Sequence, residues 1–152
     1  MSVKNLLQLA ERRLEKTRNE QVRLHTQINT LQNASQDMRE RILILSEQVA
    51  LYEKSQELSP IAFWERQRLK AAVLSNIAQF EYEIDTMSTQ IGKYQLLANQ
   101  MATQARVLQG KCEKFQKYLK QQSITKCLKS EQQQHTEIEE LFIHVRNKFI
   151  KE

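Results

Sequence analysis

The chain has 152 residues, of which 2 are glycine, 1 is proline and 40% are hydrophobic, with a formal net charge of +5. Three turn-formers supply too little material for sheets or many short connections, which excludes an ordinary β or α/β domain. Gln, Leu, Lys, Glu, Ala and Arg dominate the rest and lose little freedom in a helix, so an all-α, elongated molecule is expected.

Helix one is read from about residue 2 to about 56. Val3, Leu7, Ala10, Leu14, Thr17, Gln21, Leu24, Ile28, Leu31, Ser35, Met38, Ile42, Leu45, Val49 and Tyr52 follow one another in steps of four and three. Twelve of these fifteen are apolar. A heptad kept this strictly needs a partner helix along one seam and implies a left-handed supercoil.

The segment KSQELSPIAFW interrupts the pattern. Pro60 lacks an N–H and suits the first turn of a helix, and Ser59 before it is a natural N-cap. A turn at about 57–60 is therefore followed by helix two, running from Pro60 to about 150. Its seam runs Val73, Ile77, Phe80, Ile84, Met87, Ile91, Tyr94, Ala98, Met101, Ala105, Leu108, Cys112, Phe115, Leu119, and all fourteen are apolar or cysteine. Folding back at Ser59 sets Val3 opposite Phe115, Leu24 opposite Tyr94, Met38 opposite Phe80 and Leu45 opposite Val73. The expected fold is one domain over 1–152, a long two-helix antiparallel coiled-coil hairpin.

Helix two outlasts its partner. Helix one runs out opposite about residue 116, and the next seam positions after Leu119 are Gln122, Lys126, Lys129 and Gln133. These are polar and unsuited to burial without partners. An unpaired overhang is thus expected beyond about 119, adding up to ~50 Å to a hairpin of ~85 Å at 1.5 Å per residue.

Candidate binding residues fall at the two ends. Between Arg106 and Lys129 there are seven basic residues and one acidic, Glu113, so this segment carries +6 while the remainder carries −1. Lys111, Lys114, Lys117 and Lys120 sit where the seam gives out, which favours contact with an acidic partner or an anionic surface over a merely solvated face. Further on, Ile138, Leu141, Phe142, Val145 and Phe149 share one helical face. No part of helix one remains to cover it, and docking on a partner is preferred to folding back. At the turn end, Leu43, Ile44 and Leu51 occupy outward positions that are normally polar, and Phe63, Trp64, Leu69 and Leu74 crowd the same end. Packing around the turn accounts for Phe63 and in part for Trp64. The remaining apolar residues read as a second binding surface.

Enzymatic chemistry is not expected. His25, His135 and His144 show no metal-ligand spacing, and Gly92 and Gly110 stand singly, so no phosphate-cradling loop exists. No cofactor is expected. Cys112 and Cys127 lie fifteen residues apart on one helix, too far to bridge, and are read as free thiols. No run approaches the ~20 apolar residues of a membrane span, and the N-terminus lacks a signal-peptide core. The expected location is cytoplasmic, without direct membrane insertion.

The layout of a shorter first helix, a turn, a longer second helix and a basic overhang resembles the FliJ/YscO family, central stalk proteins of flagellar and virulence-associated type III secretion. SPIAFWERQRL at the tip and GKCEKFQKYLKQQ in the basic run carry the likeness most directly. The resemblance implies a non-enzymatic stalk whose end bearing both termini enters a hexameric ATPase ring, and whose opposite end contacts the export gate. It also implies export chaperones as further partners and a place peripheral to the inner membrane. The lysines of the overhang would then face the ring, and Leu43, Ile44 and Leu51 the gate. Two other classes stay open on the residues alone. One is a dimerising spacer or tether. The other is a nucleic-acid binder, which the missing parallel zipper and base-reading set disfavour.

Overall fold

The structure, a computed structural model, describes residues 2–54 and 57–151, without the side chain of the last. It contains two helices packed against each other as a hairpin, α1 over Val3–Tyr52 and α2 over Pro60–Lys151, and no strand among the described residues. Each helix opens on a serine. Ser2 Oγ accepts from the Asn5 N–H at 3.3 Å, and Ser59 Oγ accepts from the Ala62 N–H at 3.3 Å. Each hydroxyl thus satisfies one of the donors that a helix start leaves without a partner. The cap at Ser59 falls where the sequence predicts it, and the cap at Ser2 is additional to that expectation.

The end of α1 differs from expectation. The helix stops at Tyr52, not at about 56. The Glu53 N–H still reaches Val49 O at 3.1 Å, then the Lys54 N–H tightens to Leu51 O at 3.4 Å. The guanidinium of Arg66 also donates to the Leu51 carbonyl. A cation on α2 therefore adds a second donor to a carbonyl in the last turn of α1, which otherwise receives only the long bond from the Lys54 N–H. Residues 55 and 56, where the expected end fell, lie outside the described residues.

Burial follows the heptads. Each of the fifteen seam positions of α1 is buried or half-buried, as is each of the fourteen on α2 from Val73 to Leu119. No large side chain among the described residues falls below 2% exposure. A single seam between two helices covers a side chain on one side only, which explains so shallow a core.

The chain divides into two compact units. One comprises residues 1–16 with 105–152. Its core is Ala10, Leu14 and Cys112, packed by Leu7, Ala105, Leu108 and Phe115, which agrees with the expected antiparallel register. The other comprises residues 17–104 and buries Leu24, Ile28, Ser35 and Ala98. Within it, Lys70 Nζ lies 3.1 Å from Glu53 Oε1, and Gln90 and Tyr94 border the same surface hollow as Thr26, Thr30 and Leu31. Several mid-helix threonines, such as Thr26, Thr86 and Thr125, donate to the carbonyl four residues before them, which satisfies their hydroxyls without loss of the helix.

Candidate functional site

The overhang is built from the last thirty-odd residues of α2. The helix continues through Lys151, and every side chain from Lys120 to Ile150 is exposed. The apolar face expected at 138–149 does not fold back. Phe142 and Phe149 are each 76% exposed, and Ile138, Leu141 and Val145 lie open beside them. Ile138, Leu141, Phe142 and Val145 together line one shallow apolar hollow.

Lys111, Lys114, Lys117 and Lys120 are all exposed on the turns leading into this stretch. They recur every three residues, and each step of three turns a helix about 60° short of a full circle. The four ammonium groups consequently wind around roughly half the helix as a belt. Such a belt presents charge to a surrounding wall more evenly than to a single flat surface. Where the belt ends, Tyr118, Gln122, Thr125, Lys126 and Lys129 border a shallow surface hollow.

Around the turn between α1 and α2, Leu43, Ile44, Leu51 and Leu69 are all more than half exposed. Leu74 is 45% exposed. Phe63 and Trp64 meet edge to face, with ring centroids 6.2 Å apart and planes at 74°. Phe63 borders a hollow with Tyr52 and Leu58 and is 48% exposed, so the turn covers it only in part. Packing around the turn does not account for Trp64, which is 71% exposed. Trp64 belongs with the open apolar residues.

The remaining chemistry is sparse. Cys112 is buried and Cys127 exposed, and neither is in a disulfide. Among the described residues no group of His, Cys, Asp and Glu could hold a metal ion. His135 Nε2 lies 3.3 Å from Glu139 Oε1 on one helix face. The hydrogen bond to Glu20 holds the Arg23 guanidinium above its ordinary value, a surface effect without a bearing on either end. No described helix is long and apolar enough to cross a membrane. The sequence reading passed over two apolar side chains of the overhang, Ile124 and Leu128, both at least half exposed.

The hairpin, its basic belt and most of the overhang match as one piece to a known family. The model of the Salmonella surface presentation of antigen gene type M protein covers residues 1–142. The chain belongs to that family. It is accordingly a type III secretion-related protein, in keeping with the FliJ/YscO likeness of its layout. The matched range takes in the tip, the belt and the overhang as far as Phe142. No curated protein matches the chain. No solved structure matches it either.

Proposed function

We propose that the protein is a non-enzymatic central stalk of a type III secretion ATPase complex. The overhang enters a hexameric ATPase ring, and the turn end contacts the export gate, with export chaperones as further partners. The observation that carries this reading is the single uncovered helix from Lys120 to Ile150, which begins where the seam with α1 ends. A stalk needs a narrow end for a channel, and one helix is about 10–12 Å across with its side chains.

The lysine belt suits acidic loops on a channel wall, because ammonium groups are flexible point charges that need no fixed geometry. Exposed ion pairs of this kind contribute about 0–1 kcal/mol each, so several are required and salt loosens them. Changing Lys111, Lys114, Lys117 and Lys120 together to Glu keeps the hairpin folded and abolishes stimulation of the ATPase. Deleting residues 135–152 weakens retention of the ATPase in a pull-down by removing the apolar face. If both variants bind and activate the ATPase like the parent, the stalk reading fails.

A further inference from the structure

Beyond Leu119 the frame of the hairpin seam lands on polar residues, but a second apolar row begins soon after. Ile124 and Leu128 open it, Glu131 and His135 follow, and Ile138, Phe142, Val145 and Phe149 complete it. Every step is four or three residues, without interruption. The row spans 26 residues, just under four heptads, or about 39 Å of helix. It runs two residues out of step with the seam of Leu108, Cys112, Phe115 and Leu119. Two residues turn a helix by about 200°, so the row lies on a different side of α2 from the face that holds α1. Its six apolar members are between 49% and 76% exposed.

We propose that this row is a second coiled-coil seam, and that in the free protein a second copy of the chain covers it in parallel orientation. Three observations select that occupant. The first is the spacing, which is what an opposing helix of the same kind requires and what a globular pocket does not. The second is area. At the exposures seen, two phenylalanines and four aliphatic side chains offer on the order of 600 Å² per copy, or about 1,200 Å² for a pair, enough for a specific interface.

The third is the placing of the polar residues. In parallel register, Glu131 and His135 of one copy adjoin Glu131 and His135 of the other, so polar groups meet polar groups, although the two Glu131 carboxylates face each other at a like-charge cost. The imidazole that now lies 3.3 Å from Glu139 then has Glu131 of the second copy as an alternative acceptor. The centred antiparallel register instead sets Glu131 against Phe142 and His135 against Ile138, which leaves four polar side chains facing hydrocarbon. A polar layer of this type fixes register and orientation at some loss of stability. The flanking pairs in parallel register are Cys127 with Gln132, Gln134 with Glu139, and Leu141 with Arg146, so no like charges meet there.

The proposal concerns the free chain and does not depend on the ring assignment, since self-association and ATPase stimulation are read separately. It implies that the apolar face of the overhang is sheltered until a partner displaces the second copy. Sedimentation equilibrium on the full chain tests it. The mass should rise from 18.0 kDa towards twice that value across a dilution series. Phe142→Glu and, independently, Leu128→Glu should keep the helicity and weaken association by at least about tenfold. Ile143→Glu, at an exposed apolar position outside the row, should leave association unchanged.

A spin label on the exposed Cys127 reports orientation, because Cys112 is buried. Parallel copies place the two labels about 10–20 Å apart, whereas centred antiparallel copies separate them by about 28 Å or more along the axis. A mass of 18.0 kDa at every concentration overturns the proposal. So does an Ile143→Glu variant that dissociates as readily as Phe142→Glu, and the longer label distance overturns the parallel arrangement.

Discussion

Two stretches of the same helix carry the same kind of apolar spacing and meet different fates. From Val73 to Leu119, each of the fourteen heptad positions is shielded. From Lys120 to Ile150 no side chain is shielded, although Phe142 and Phe149 are larger and more apolar than Ala98 or Ala105 in the paired part. Hydrophobicity along a helix therefore states a need for cover. Whether the need is met depends on what lies across from it, and α1 stops before the overhang begins.

The sharpest way to break this comparison is to truncate one large side chain in each stretch's setting. Leu24, 2% exposed on the α1 side of the seam, should cost about 2–4 kcal/mol as Leu24→Ala, seen as a lower urea midpoint. Phe142→Ala, measured below the concentration at which copies associate, should stay within about 0.5 kcal/mol of the parent. Equal losses from the two would show that the overhang is packed after all. A spectroscopic distance between labels at positions 24 and 94 should be about 10 Å, the spacing of packed helix axes. A value several times larger would break the intramolecular pairing.

A smaller effect is expected where α1 ends. Arg66→Ala removes one of two donors to the Leu51 carbonyl and should cost about 1 kcal/mol or less, with faster amide exchange confined to the last turn of α1. At the turn end, Leu43→Glu combined with Leu51→Glu should leave the melting temperature within error, because both side chains are already more than half exposed, while one partner interaction is lost. Unfolding of that double variant would mean that the tip residues are core. The smallest change is a gain. A Cβ at Gly92 meets nothing within 4 Å, so Gly92→Ala should add about 0.5–1 kcal/mol of stability through helix propensity alone.

Most of the hairpin was legible because its information is local. The four-and-three spacing is a property of the helix itself, and Ser59 with Pro60 marks a helix start in any context. The belt at Lys111–Lys120 and the face at Ile138–Phe149 were likewise visible as residue types at helical intervals. Ile124 and Leu128 carried the same signal, but Glu131 and His135 occupy the next two positions of the row, and polar residues inside a seam mask its continuity.

Other features were settled only across space. α1 ends at Tyr52 where Arg66, fifteen residues beyond Leu51, supplies a donor that no local pattern announces. Trp64 and Phe63 are neighbours in sequence, yet only Phe63 borders the hollow at Tyr52 and Leu58, because adjacent helical positions point about 100° apart. Spacing and capping act through the backbone of a few neighbouring residues, so composition and period determine them. Burial depends on atoms supplied by distant parts of the chain, so it had to await the packing of α1 against α2.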